Sequence, residues 1–245
     1  MPATTLQNRR ACVRIDTRGA YIDTLRLAGR DVFFPKTMLP VNGTPKLRGG
    51  MHVCLPQFGM DADGVFDNHG FGRTLDWAIT AQSQDAVRLL LDRPAQAGYA
   101  HSQWQLDYSL PDENRFSAVL TVRNLGGAPI RTTPGFHPYF HAESSRFGFN
   151  GETYDAADLG KAAFVDAGRE TRAAFDGEGI VFATDNLPVY ALWSDRNGSY
   201  ICAEPTAQGN AFLSPADETQ FVPPQGEKTY GLEIRWEHTA DAQGS

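Results

Sequence analysis

Short segments in which apolar residues alternate with polar ones, or run together briefly, recur along the whole chain. They are Ala11–Ile15, Tyr21–Leu27, Ala86–Leu91, Trp104–Leu110, Phe116–Val122, Val189–Trp193, Tyr200–Ala203 and Tyr230–Trp236. Each is rich in branched and aromatic side chains, and a two-residue alternation puts one set on each face of a strand. Between them stand turn-forming stretches: Thr17 to Gly19, Asn42-Gly43, Pro111 to Asn114, Asn124 to Pro129 and Arg196 to Gly198. No segment sustains the 3.6-residue apolar period of a long helix. Short strands with regular punctuation predict an all-β fold, a sandwich or barrel. The best candidate helix is short, Ala156–Ala163. The surrounding stretch, Gly148–Gly179, is rich in small and charged residues and is expected to form irregular loops with a helical turn. No linker, repeat or low-complexity run divides the chain. Residues 1–245 are therefore expected to form one domain, with a frayed tail from about Thr239.

Composition narrows the possible partners. A hydrophobic share of 41% and a charged share of 21% in 245 residues suit a soluble globular chain with a substantial core. The net charge of -7 argues against a general nucleic-acid binder, while leaving room for a local basic pocket that takes an anion. Three widely spaced cysteines, Cys12, Cys54 and Cys202, indicate neither a zinc site nor a disulfide framework. A reducing compartment is the simplest setting. The start has basic residues without an apolar run behind them, so it does not read as a secretory signal. No apolar stretch is long enough to cross a bilayer. The expectation is a cytoplasmic protein with no membrane or nucleic-acid partner. Oligomeric state is left open.

Four clusters carry candidate chemistry. In TPGFHPYFH, Thr133 to His141, a histidine precedes a proline among aromatics. Proline removes a ladder donor and biases the residue before it toward extended geometry, so His137 is expected where regular pairing is interrupted. Imidazole exchanges protons near neutral pH. His137 and His141 are too far apart along a strand for one metal ion, and Pro138 argues against the helix that would bring them together. In SYICAEP, Ser199 to Pro205, Glu204 ends an apolar run and shares a strand face with Cys202. Desolvation there would raise its pKa and suit a general base; an acid at a strand end can equally point into water. Lys46 to Gly59 holds Arg48 before paired glycines, which allow close approach to a ligand or serve as a loop with Arg48 solvated. In DNHGFGR, Asp67 to Arg73, His69 sits on a loop, as a ligand contact or as a turn histidine bonded to its own backbone.

Read in order, RGGMHVCLPQFG (from Arg48), NHGFGR (from Asn68), GFHPYFH (from Gly135) and ICAEP (from Ile201) resemble the aldose 1-epimerase, or mutarotase, superfamily, and within it the glucose-6-phosphate 1-epimerase branch. LDYSLPDENRFSAVLTVRNLGGAPI, from Leu106 to Ile130, adds to the likeness. The resemblance implies a β-supersandwich of large antiparallel sheets with a concave sugar-binding face. It implies His137 as the acid that protonates the sugar ring oxygen and Glu204 as the base at the anomeric hydroxyl. His69 would assist near the ring oxygen or anomeric centre. Arg48 and Arg73 would bind polar groups or a 6-phosphate, and Asn68 and Trp193 complete the expected substrate site. The implied reaction interconverts the α and β anomers of an aldohexose or its 6-phosphate. It opens and recloses a hemiacetal, so no metal and no cofactor is expected. Phe71, Phe136, Tyr139 and Trp193 are candidates to stack on the sugar. The chain departs from the branch in several places. Met51 and His52 replace Ile-Pro, Asn68 replaces Gln, and Trp193 is followed by Ser194-Asp195 in place of Asn-Pro. The sugar-binding aspartate is expected to be Asp166, Asp176 or Asp185. The rivals are a non-catalytic carbohydrate-binding protein on the same scaffold and a metal-dependent cupin-type barrel, against which the missing HxH motif speaks.

Overall fold

The computed structural model describes residues 3–237. The tail expected from Thr239 lies outside the described residues. Two nine-stranded sheets dominate the described residues. The first runs, in spatial order, Ala3–Asn8, Ala11–Asp16, Tyr21–Leu27, Met51–Cys54, Gly135–His141, Tyr200–Thr206, Val189–Trp193 and Ala163–Asp166, with Arg30–Asp31 paired to Tyr21–Leu27. The second runs Glu152–Asp155, Arg146–Phe149, Glu170–Phe175, Glu178–Asp185, Glu227–Glu237, Arg115–Asn124, Ser102–Asp112, Ala86–Asp92 and Ala78–Gln82. The pairings within both sheets are antiparallel. This is the all-β fold that the residue pattern predicts, built of the large antiparallel sheets that the resemblance implies.

Each expected strand is present. Tyr21–Leu27 and Val189–Trp193 coincide with expectation, and the others extend by a few residues at one or both ends. Tyr200–Thr206 continues past Glu204, so the carboxylate is interior to its strand. Two expectations need correction. The Ala156–Ala163 helix is only a 3-10 turn, Ala156–Asp158, whose start is capped by Asp155 accepting from the Ala157 N–H at 2.9 Å. Ala163 already belongs to the next strand. The stretch Gly148–Gly179 is also mostly strand, and Glu170–Phe175 alternates exposed and buried positions along its length. Its buried residues are mostly small or polar, which hides a period-two pattern from a reading based on large apolar side chains.

One strand explains how the core positions the cavity. Along Gly135–His141, Phe136 and Phe140 face the second sheet, and the Phe140 ring lies 5.0 Å from Phe175 and 5.3 Å from Phe182. His137 and Tyr139 take the opposite face by alternation. The neighbouring strands repeat the division. Met51, Val53, Ile201, Ala203, Tyr190 and Leu192 belong to the main core. Cys54, Ala191, Tyr139, Tyr200, Cys202 and Trp193 form two small clusters on the other side. Burial of each large apolar side chain contributes roughly 2 kcal/mol, so the inner rows hold these strands while the outer rows are free to carry polar groups. Those outer rows are buried too: Phe58 of the following loop packs with Cys54 and Ala191, and Leu39 of the Thr37–Arg48 hairpin packs on the cluster of Tyr139, Tyr200 and Cys202.

Candidate active site

His137 and Glu204 face each other across adjacent strands. The Gly135–His141 strand pairs with Tyr200–Thr206 at Gly135↔Thr206 and again from Tyr139↔Cys202, and this register sets His137 opposite Glu204. Pairs are missing between those points, where Pro138 has no N–H to donate, which matches the interruption expected at His137. The His137 Nε2 to Glu204 Oε2 distance is 3.3 Å, and the two residues are 5% and 2% exposed. On the other side His137 pairs directly with His52. The His137 ring is stacked between His52 and Tyr139, with both centroids at 4.7 Å.

His69 reaches the same place from the covering loop. Its backbone has φ of +66°, and Gly70 after it has φ of +64°, so two consecutive residues are left-handed. A Cβ on Gly70 would lie 2.1 Å from the Leu55 carbonyl oxygen. The loop closes this tightly because residue 70 is glycine, and the closure sets the His69 ring edge-on to His137 at 5.0 Å. His69 Nδ1 accepts from the Gly59 N–H at 3.3 Å, which leaves its proton on Nε2 as a donor. The paired glycines act similarly. Gly50, at φ of +66°, donates its N–H to the Phe34 carbonyl and accepts from Tyr139, tying the Met51–Cys54 strand to the site.

Arg48 and Arg73 differ in their surroundings. Arg48 is paired with Asp195, through Nε at 2.9 Å and Nη2 at 2.8 Å, and lies over the Trp193 ring at 5.4 Å. Asp195 also accepts from the Tyr200 hydroxyl. Arg73 donates to the Asn68 carbonyl at 2.9 Å and has no carboxylate partner among the described residues. Arg48, Asn68, His69, Arg73, His137, Trp193 and Glu204, scattered over more than 150 positions of sequence, all line one cavity of about 890 Å³. Five Lys or Arg residues line it against Asp16 and Glu204, a local basic excess in a chain of net charge -7.

Burial sets the protonation of this site. It pushes the Glu204 carboxyl well above the ordinary carboxylate range. It pushes the His137 imidazole well below its ordinary value, helped by His69 and Arg73. Burial, and then the Arg73 charge, bring His69 down to about 3. His52 is likewise lowered by burial and by His137. Burial thus disfavours charge on this floor, and the touching His137 and Glu204 titrate as one coupled pair.

Several expectations about the cavity are corrected. Phe71 and Phe136 belong to the main core and do not line it, because Phe136 alternates away from His137 and Phe71 packs on Trp104. None of Asp166, Asp176 and Asp185 lines it. Asp176 accepts from the Glu143 and Ser144 N–H groups, Asp185 pairs with Arg169, and Asp166 is exposed at a strand end. The acids that do line it are Asp16 and Glu204. His141 pairs with Glu143, outside the cavity. Tyr21, His52, Phe58 and Phe164 line the cavity without having been singled out. The one signal for His52 in the sequence is its departure from the family motif, where Met51-His52 stands for Ile-Pro.

Two side-chain groups bring metal-ligating atoms within 4.8 Å of one another: His52, His69 and His137, and His137, Cys202 and Glu204. The His52 and His137 rings stack at an interplanar angle of 27°, so their in-plane lone pairs run side by side and do not converge as tetrahedral coordination requires. His69 Nδ1 is already an acceptor of the Gly59 N–H. The three-histidine set does not fit a preformed metal site.

Comparison with known proteins agrees with this architecture. The family model for aldose 1-epimerase matches residues 2–199. The chain belongs to the aldose 1-epimerase family. The match includes His137 and ends before Glu204. A protein of Cenchrus ciliaris named "Putative glucose-6-phosphate 1-epimerase" is 28% identical over 199 residues, covering 74% of this chain and 58% of its own. A Salmonella typhimurium protein of the same name is 27% identical over 126 residues, covering 51% of this chain and 43% of its own. The chain thus spans about half the length of the curated relatives it matches. The crystal structure of a galactose mutarotase related enzyme from Lactobacillus acidophilus superposes with a TM-score of 0.77 at 15% identity, over 97% of this chain and 98% of that one. That likeness establishes the galactose mutarotase-like fold. No helix among the described residues is long and apolar enough to cross a membrane.

Proposed function

We propose that this protein is an isomerase that interconverts the α and β anomers of an aldohexose or a hexose 6-phosphate. The observation that carries the reading is the buried His137–Glu204 contact of 3.3 Å on the floor of a cavity with a basic lining. Mutarotation needs one group to take the anomeric hydroxyl proton and another to protonate the ring oxygen. The ring opens, the carbonyl end rotates, and closure on the other face gives the other anomer. The one proton of the pair passes from Glu204 to His137 across their 3.3 Å contact, and the resulting carboxylate takes the anomeric hydroxyl proton while the imidazolium gives its proton to the ring oxygen, which returns the pair to one shared proton. Ring closure reverses the two roles, which a carboxyl and an imidazole brought toward each other in proton affinity can both fill. His69 offers its Nε2–H to the oxygen that develops charge. Tyr139 and Trp193 supply apolar surface for the sugar. Burial strengthens each of these hydrogen bonds relative to water.

A 6-phosphate ester is the preferred substrate form in this reading. Among the described residues Arg73 has no carboxylate to neutralise it, whereas Arg48 is engaged by Asp195. Arg73 is therefore assigned to the phosphate, with Arg48 holding Trp193 in place. The reaction uses no cofactor, and three free cysteines suit a cytoplasmic setting. NMR saturation exchange between anomers, run on a panel of aldoses and their 6-phosphates, tests the proposal. Accelerated exchange is expected. Saturable sugar binding without acceleration would select a non-catalytic carbohydrate-binding role on this scaffold instead.

A further inference from the structure

His52 is 2% exposed, lines the cavity, and has no hydrogen-bond partner on either ring nitrogen among the described residues. Buried polar atoms of folded proteins are normally paired, so an unpaired imidazole on a cavity wall points to a partner supplied by a ligand. The ring cannot easily turn away. It is held between Tyr21 at 5.3 Å and His137 at 4.7 Å, with His69 edge-on at 5.6 Å. A ring clamped on both faces can meet a ligand only through its edge, where both nitrogens are buried from solvent and unpaired.

Position gives the ligand atom. Glu204, His137 and His52 form a row across three neighbouring strands, since His137 faces Glu204 on one side and pairs with His52 on the other. Under the acid–base reading proposed above, on which this inference rests, the anomeric oxygen lies at Glu204 and the ring oxygen at His137. One step further along the sugar is C5 with its exocyclic C6–O6 arm. One step further along the row is His52. We propose that His52 is a specificity-determining residue whose ring nitrogen hydrogen-bonds O6 of an aldohexose. A neutral imidazole has one N–H donor and one acceptor nitrogen. It can therefore pair with a free O6 hydroxyl, or donate to O6 when that oxygen carries a phosphate. Arg73 also lines the cavity, and its charge lowers the proton affinity of His52.

The test compares glucose and glucose 6-phosphate with 6-deoxyglucose, which lacks only O6 of glucose. The wild-type protein is expected to favour at least one of the first two, by kcat/KM. The His52→Phe variant keeps the aromatic stack and removes both nitrogens. It is expected to reduce that preference roughly tenfold, the size of one buried neutral hydrogen bond. The His52→Asn variant restores a donor and an acceptor and is expected to recover part of the preference, which also covers the case in which the phenylalanine variant folds poorly. Equal losses on all three sugars, or none, would overturn the proposal, because a packing role does not discriminate at O6. Affinities for the same three sugars separate this proposal from the one it rests on. If the wild type exchanges no anomers, the acid–base reading fails, and an O6 preference in binding that His52→Phe leaves unchanged overturns the role of His52 as well.

Discussion

His137 and Glu204 stand opposite each other on antiparallel neighbours, Nε2 to Oε2 at 3.3 Å, in the one stretch where Pro138 breaks the ladder between their strands. The break frees no side chain, because both residues are held by neighbours in a buried row. A proton relay between sugar oxygens needs both members. His137→Ala and Glu204→Gln are each expected to lower the anomer exchange rate by roughly a hundred- to ten-thousandfold, the usual worth of one positioned acid or base. Circular dichroism and thermal unfolding should find both variants folded, since the inner row of Phe136, Phe140, Ile201 and Ala203 is untouched. Exchange at the wild-type rate in both variants would refute the assignment.

The proposed acid–base pair also predicts a pH profile. Burial raises Glu204 and lowers His137, so the form of the pair that carries one exchangeable proton is spread over a wide range. Below that range His137 gains a second proton and no base is left. Above it Glu204 loses its proton and no acid is left. The kcat/KM profile should be a broad bell whose acidic limb lies below the ordinary imidazole value of 6.5 and whose basic limb lies above the ordinary carboxyl value of 4.5. An acidic limb at or above 6.5 would contradict the neutral imidazole.

Stability should change with pH for the same reason. His52, His69 and His137 all have lowered folded-state values, so between those values and 6.5 the unfolded chain binds more protons than the folded one. Their contribution is present above 6.5 and is lost as pH falls toward the folded values, which for His69 means toward about 3. Glu204 acts in the opposite sense, losing its contribution as pH rises from 4.5 through its raised value. Three imidazoles outweigh one carboxyl, so urea unfolding at pH 7, 5.5 and 4.5 should give falling stability. His69→Asn should remove roughly one proton from that slope. A stability that rises on acidification would contradict the buried neutral histidines.

The strands of this protein were legible where large apolar residues alternate with polar ones, as in Tyr21–Leu27 and Val189–Trp193. Glu170–Phe175 was not, because its buried positions are Thr171, Ala173 and Phe175, and two of these do not stand out as apolar. The candidate site was legible as motifs, and Arg48, His69, His137 and Glu204 do line one cavity. What one-dimensional reading could not supply was which face each residue takes and which charges are already paired. Phe136 sits beside His137 in sequence yet belongs to the core, and Arg48 looked equivalent to Arg73 until Asp195 was placed against it. His52 was visible only as a departure from a family motif. Its register with His137 is a property of strand pairing.

The two arginines should separate by substrate. Arg73→Ala is expected to raise KM for glucose 6-phosphate by tenfold or more while changing KM for glucose little, because a charged hydrogen bond to phosphate is about twice as strong as a neutral one. Arg48→Ala leaves Asp195 without its cation and Trp193 without the guanidinium over its ring. It should weaken both sugars alike and lower the thermal midpoint. The two variants are distinguished by the ratio of KM values for the ester and the free sugar, and an identical ratio in both would contradict the different surroundings.

Gly70 should prove as sensitive as the residues that touch substrate. Its φ of +64° is costly for any other residue, and a Cβ there would meet the Leu55 carbonyl oxygen at 2.1 Å and the Leu55 carbonyl carbon at 2.5 Å. The obstacle is backbone, which cannot rotate away as a side chain can. Gly70→Ala must therefore push the loop off the Met51–Cys54 side of the sheet and carry His69 with it. A destabilisation of about 3 kcal/mol is expected, in the range of strained backbone combined with a steric clash. Anomer exchange should fall as well, since His69 loses its place edge-on to His137. Gly98→Ala provides the comparison. Its φ of +82° is similarly left-handed, but a Cβ there meets nothing within 4 Å. That variant should lose only the cost of the backbone conformation, about 1 kcal/mol, with exchange unchanged. Equal effects of the two substitutions in urea unfolding would mean that the Leu55 contact does not hold the loop.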